Sequence, residues 1–224
     1  MNVKSMYYFK GIEAFFQFSD YIELNQWRIE KQLLTNRVEK YCKLEIFNQM
    51  KNDFESKQLS IWPLKDEEII TWLDTQSIMR RLLMKLIKKG TRQNMIHIFI
   101  EYPLVYGNHM RTDYLIVYDR LIVILEFGMF NQDERRSEER YTKKLQESIS
   151  HAQLLRNMVH STTSVVNYVM IYKPEYDRFM QEIIRENIAY NSNEINQLAN
   201  FLHQKIVEQD QFLALNQLDY LSKL

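Results

Sequence analysis

Two carboxylates, Asp113 and Glu126, stand in the largely apolar run RTDYLIVYDRLIVILEFGMF, Arg111 to Phe130. A two-residue turn at Asp119-Arg120 puts them directly opposite each other across a hairpin, with Cβ atoms about 5 Å apart. A four-residue loop with the same centre keeps that register, and an odd-length loop destroys it. Leu115, Val117, Ile122 and Ile124 share the acids' face, while Tyr114, Ile116, Val123 and Leu125 take the other. Both faces are apolar, so the pair belongs to a central hairpin covered by helices on each side. Ionised and unpaired, acids in such a place cost several kcal/mol. A divalent cation removes the repulsion, since hard oxygen ligands suit Mg²⁺ or Mn²⁺. An ordinary ion pair with Arg111 or a lysine also removes it.

Several neighbours can join this chemistry. Glu101, just before Pro103, is either a third oxygen ligand or a solvated strand end. Arg111 shares strand parity with Asp113, so it either contacts a phosphate or orients the aspartate. The segment RRLLMKLIKKGTR gathers Arg80, Arg81, Lys85, Lys88, Lys89 and Arg92 without an acid. Such a patch can track a phosphate backbone, or it can be solvated helix charge favoured by the helix dipole. The five histidines, His97, His109, His151, His160 and His203, show no zinc-type pairing and read as structural or surface residues. No glycine-rich phosphate loop occurs, which argues against an intrinsic nucleotide motor.

Composition sets the frame for these residues. The 224 residues suit one generous domain or a core with an extension. Formal net charge is zero, so attraction to nucleic acid must come from a local patch. The single cysteine, Cys42, excludes an internal disulfide, and a cytoplasmic protein is expected. No run of about 18 apolar residues predicts a membrane span.

Only four glycines and three prolines occur, so helix should dominate. Residues 10–57 read as helix almost throughout, with Leu24, Trp27, Leu34, Val38, Tyr41, Phe47, Met50 and Phe54 on one stripe. The three tryptophans, Trp27, Trp62 and Trp72, should pack this region. Asp66 starts a short helix through Asp74, Thr75 caps the next, and Gly90 closes it. NMIHIFIEYPLV, TDYLIVY and LIVILEF read as three strands. A helix of about 22 residues follows, then the strand TSVVNYVMIY, then helices from Pro174.

With RTD on one strand and LEFG closing the next, the chain resembles the PD-(D/E)XK nuclease superfamily across roughly residues 76–172. That resemblance implies a mixed α/β fold: a restriction-endonuclease-like core with a central mixed sheet of about four strands flanked by helices. Residues 1–75 would form a helical N-terminal extension, 76–175 the core, and 176–224 C-terminal helices packing on it. It implies Mg²⁺- or Mn²⁺-dependent phosphodiester hydrolysis on DNA, with Asp113 and Glu126 as metal ligands. Tyr141, Gln146 and Gln153 are the candidates for the family's helix residues, and Gln146 should point to the acids. The family's lysine falls at position 128, which here is Gly128. Lys143, Lys144 or Arg135 would then supply the basic group, as in members that have relocated it. Otherwise the domain is a catalytically silent binding or assembly module, with a protein partner or second copy docking on the N-terminal helices.

A cation that relieves the repulsion binds only the folded state. Millimolar Mg²⁺ or Mn²⁺ is therefore expected to raise the melting temperature, and Asp113→Asn to abolish that response. A metal-insensitive wild type with a strongly destabilised mutant would sink the metal site.

Overall fold

The apolar runs become one five-stranded open sheet: β1 (Tyr7–Lys10), β2 (Ile96–Pro103), β3 (Arg111–Tyr118), β4 (Leu121–Met129) and β5 (Ser164–Tyr172). Strands follow one another across the sheet in sequence order; the first four are antiparallel and β5 joins β4 in parallel. In this computed structural model residues 5–59, 63–104, 110–130, 133–175 and 181–221 are described, the side chains of 181–189 and 212–221 excepted. Trp62 and His109 lie outside them.

The fold is mixed α/β, but the sheet has five strands rather than about four. The additional one, β1, sits ahead of the N-terminal helices and pairs along β2, with Tyr7 opposite Ile100. Its four residues are too short a run to display alternation. Gly11 then adopts φ 88°, a left-handed conformation natural to glycine, and donates its N–H to Ile96 O at 2.8 Å. The N-terminal segment is therefore not purely helical.

Four short helices follow: α1 (Ile12–Phe18), α2 (Asp20–Leu24), α3 (Leu34–Tyr41) and α4 (Glu45–Ser56). They break the single stripe expected here, and Leu24 is 82% exposed. Next, α5 (Asp66–Lys88) is one continuous helix, not two. No glycine or proline interrupts it, and Asp74 and Thr75 are buried partners rather than caps. Acids at 66–68 and lysines at 85 and 88 complement its dipole, and Gly90 at φ 81° closes it. A parallel pair needs a long crossover, which α6 (Glu134–Met158) supplies between β4 and β5. Last comes α7 (Gln181–Leu221). No described helix is long and apolar enough to cross a membrane.

The sheet is covered on both sides, as both-face hydrophobicity requires. Ile98, Tyr114, Ile116, Val123 and Leu125 pack with Ile78, Leu82 and Leu86 of α5 and Leu198 and Leu202 of α7. Across the sheet, Leu115, Ile124 and Val165 meet Ala152 and Leu155 of α6. A separate cluster of Trp27, Phe47, Met50, Phe54 and Trp72 fixes the N-terminal helices to α5. At its edge Arg37 of α3 grips Asp74 of α5 through two hydrogen bonds of 2.8 and 2.6 Å, and Trp27 donates to the same carboxylate at 2.9 Å.

Both side chains of that ion pair are wholly buried. Arg37→Met strands the carboxylate and is expected to cost on the order of 3–5 kcal/mol. The double variant Arg37→Met with Asp74→Leu should recover most of it. Urea unfolding of the three proteins checks this; equal losses in single and double variants would contradict it.

Candidate functional site

The hairpin has the register that brings the acids together. Tyr118 pairs with Leu121 and Tyr114 with Leu125, so the turn is the two residues Asp119-Arg120. Asp119 takes φ 45°, the left-handed geometry that tight hairpin turns use. The Phe127 N–H donates to Oδ2 of Asp113 at 2.7 Å, holding that carboxylate across the strand pair.

Between the acids lies a lysine. Nζ of Lys144 is 2.9 Å from Oε2 of Glu126 and 3.3 Å from Oδ2 of Asp113. The other oxygen of Glu126, Oε1, meets Nδ1 of His151 at 3.1 Å. Lys144 and His151 are seven residues apart on α6, which puts them on one helix face about 20° apart. Ser148 lies on the turn between them and accepts a hydrogen bond from Asn167 of β5 at 2.9 Å, tying the helix to the sheet.

Burial divides the acids. The Glu126 side chain is 1% exposed, whereas those of Asp113 and Lys144 are each 26% exposed, so the cluster opens on the aspartate side. Burial first, and the charge of Asp113 second, push the Glu126 carboxyl above the usual range against the pull of His151 and Lys144. Burial opposes the charge on Lys144, but the two acids together outweigh it and raise its pKa. Lys144 is thus a fixed positive charge.

The basic group is Lys144 and not Lys143, whose side chain is 79% exposed and lies 3.9 Å from Glu147. Arg135 points to Glu139, 3.3 Å away. Gln146 and Gln153 are exposed and stand about 200° and 180° around the helix from Lys144. They and the exposed Tyr141 do not join the acids.

Gly128 is explained by close approach. A Cβ there would lie 2.5 Å from Cδ1 of Ile171 and 3.3 Å from Cδ of Arg140. A lysine at 128 would require Ile171 to change rotamer and the Arg140 stem to retreat. The side chain that reaches the acids comes instead from the helix lying over the glycine.

Glu101 and Arg111 pair with each other, and Glu101 also feels the charge of Asp113. Glu101 has φ 52°, which breaks the alternation of β2, so its carboxylate accepts from Trp72 of α5 at 2.8 Å. Tyr102 consequently packs on the α6 side. Glu101 is 5% exposed, not a solvated strand end. Arg111 contacts Glu101 at 3.2 Å and Glu68 at 3.4 Å and lies over the Phe54 ring. Simple strand parity failed for it, and it holds Glu101 rather than Asp113.

The basic run is also divided. Arg80 is buried against Asp20, Glu23 and the Phe16 carbonyl, and Arg81 pairs with Glu175 at 2.8 Å. Lys88, Lys89 and Arg92 are exposed and Lys85 is half-buried. They lie where α5 leads into Ile96, whose partner is Tyr118 at the turn end of the hairpin. Asp113 is five residues away along the strand, roughly 17 Å. The patch and the acid pair are separate features.

Two carboxylates with an open side fit a cation that takes one or two protein oxygens and completes its shell with water and phosphate, as Mg²⁺ does. Among the described residues no group of three or more His, Cys, Asp or Glu could hold a metal, and Glu101 does not extend the pair. His151 was missed because no pairing motif marks it; the one available signal was its seven-residue spacing from Lys144.

Burial pushes the Glu101 carboxyl up to about 8, with Arg111 opposing and Asp113 assisting. A raised carboxyl contributes stability that is complete below its unfolded value and is lost as pH rises through the folded one. The melting temperature should therefore fall between pH 4.5 and about 8, and Glu101→Gln should flatten that fall. Identical pH profiles for variant and wild type would exclude Glu101 as the source. Compared with known proteins, the chain matches no family model, no curated protein and no solved structure.

Proposed function

We propose that this protein is a metal-dependent nuclease-fold protein that hydrolyses phosphodiester bonds in DNA, built on a restriction-endonuclease-like core. The observation that carries the proposal is the ammonium of Lys144, 2.9 and 3.3 Å from two facing carboxylates. Acid, acid and lysine are the three side chains of the PD-(D/E)XK motif, with the lysine delivered from α6 in place of position 128. The order of α5, three antiparallel strands, α6 and a parallel fifth strand supports the same reading.

Asp113 and Glu126 would hold Mg²⁺ or Mn²⁺, which when bound supplies Lewis-acid polarisation and a water of lowered pKa. Asp113 is held by the Phe127 N–H, so its orientation does not depend on the cation. In the metal-free site, against the effect of burial, the two acids raise the pKa of Lys144. Its role is to place positive charge and N–H donors beside a phosphate oxygen as negative charge develops there. In the metal-free site the same ammonium neutralises the pair; were the acids to hold a cation, Lys144 would be the basic group beside the phosphate.

One observation favours a second reading. Lys144 already satisfies both acids, which is also what a catalytically silent nuclease-like binding or assembly module would need.

Incubation of single- and double-stranded DNA with Mg²⁺ and Mn²⁺ separates the two. Cleavage is expected for the wild type and none for Asp113→Asn. Lys144→Met should lose on the order of 10²–10³ in rate while still binding Mn²⁺ in titration calorimetry. A wild type inert on both substrates, with unchanged melting in metal, would leave the silent module.

A further inference from the structure

We propose that His151 is the positioning residue of this site, fixing Oε1 of Glu126 so that Oε2 alone is presented to Asp113 and Lys144. The inference rests on the metal-site reading above and assigns a role to a residue which that reading does not use.

The geometry separates the two oxygens of one carboxylate. Oε1 meets His151 at 3.1 Å and Oε2 meets Lys144 at 2.9 Å, and the imidazole side chain is only 7% exposed. Both partners come from one face of one helix, so the carboxylate is clamped by a rigid element rather than by loops. The Ser148–Asn167 hydrogen bond secures that stretch of helix to β5 at the same level. With Glu126 ionised the carboxylate only accepts, and the contact then needs a proton on Nδ1. Glu126 cannot then rotate Oε1 into the mouth of the site without abandoning a buried donor. Carboxylates that ligate metals are commonly held by such an outer partner, whose loss lowers metal affinity about 10–100-fold.

A buried histidine can also be simple filling between α6 and the sheet, beside Ala152 and Leu155. The two roles predict opposite outcomes for two variants. His151→Phe preserves volume and removes the donor. His151→Asn leaves a gap but places an amide N–H near the position of Nδ1. Positioning predicts that the Asn variant keeps Mn²⁺ affinity within about threefold and the Phe variant loses about 10–100-fold, whatever their relative melting temperatures. Filling predicts that Phe binds Mn²⁺ as well as wild type.

The metal-free wild type gives an independent measurement. Nitrogen-15 NMR of the His151 ring should find the proton on Nδ1, and a ring protonated on Nε2 alone would overturn the proposal. Equal Mn²⁺ affinity in the Phe variant and wild type would overturn it too. A wild type that takes up no Mn²⁺ defeats the functional reading and the affinity comparison together; the NMR result then decides whether His151 orients Glu126.

Discussion

Two carboxylates facing across a buried hairpin repel, and the site is organised by what is needed to hold a positive charge between them. Lys144 supplies it from a helix rather than from the strand carrying Glu126. That origin constrains much of its surroundings. α6 must lie close over β4, and the absence of a side chain at Gly128 permits the approach. The helix must also be held in rotation, because its next usable face lies about 100° away per residue. The Arg140 stem against Gly128 and the Ser148–Asn167 bond meet these needs at two levels of one helix.

The opposite side of the sheet solves a related problem differently. Glu101 is buried too, but its left-handed backbone turns it to Trp72 of α5 and Arg111 of β3. A single non-glycine residue at φ 52° thereby sorts the acids of this strand end into two compartments. Asp113 and Glu126 open toward solvent through the aspartate, while Glu101 is closed off by Trp72 and Arg111. Arg111, stacked over Phe54 and paired with Glu68, links that closed compartment to the N-terminal helices.

The hairpin was legible because its evidence is local. Two apolar faces, two acids and a short centre admit few registers, and the turn followed the even-numbered option. The order of α5, β2–β4, α6 and β5 was legible for the same reason, each run being long enough to show its period. β1 was not, since four residues carry no period and its partner is distant in sequence. Arg80 illustrates a second kind of loss. Its charge appeared in a basic run, but only the fold shows that Asp20, Glu23 and a backbone carbonyl consume it. His151 and Lys144 carry no motif of their own and gain meaning once the helix is rotated against β4. Charges and polar groups are thus readable in type from sequence, whereas their partners are set by packing.

The placement of β1 also has a consequence for how the chain assembles. Tyr7 pairs with Ile100 across about ninety intervening residues, so this edge closes the longest loop in the sheet. Closing it costs an entropy that grows only logarithmically with length, but it must wait until β2 exists. At about 5–20 residues per second of synthesis, the first strand spends several seconds without its partner. The β3–β4 hairpin has no such delay, since its two residues of turn bring Asp113 and Glu126 together as soon as both strands have emerged. The site's acids are thus joined by the most local pairing in the sheet, and β1 by the most distant.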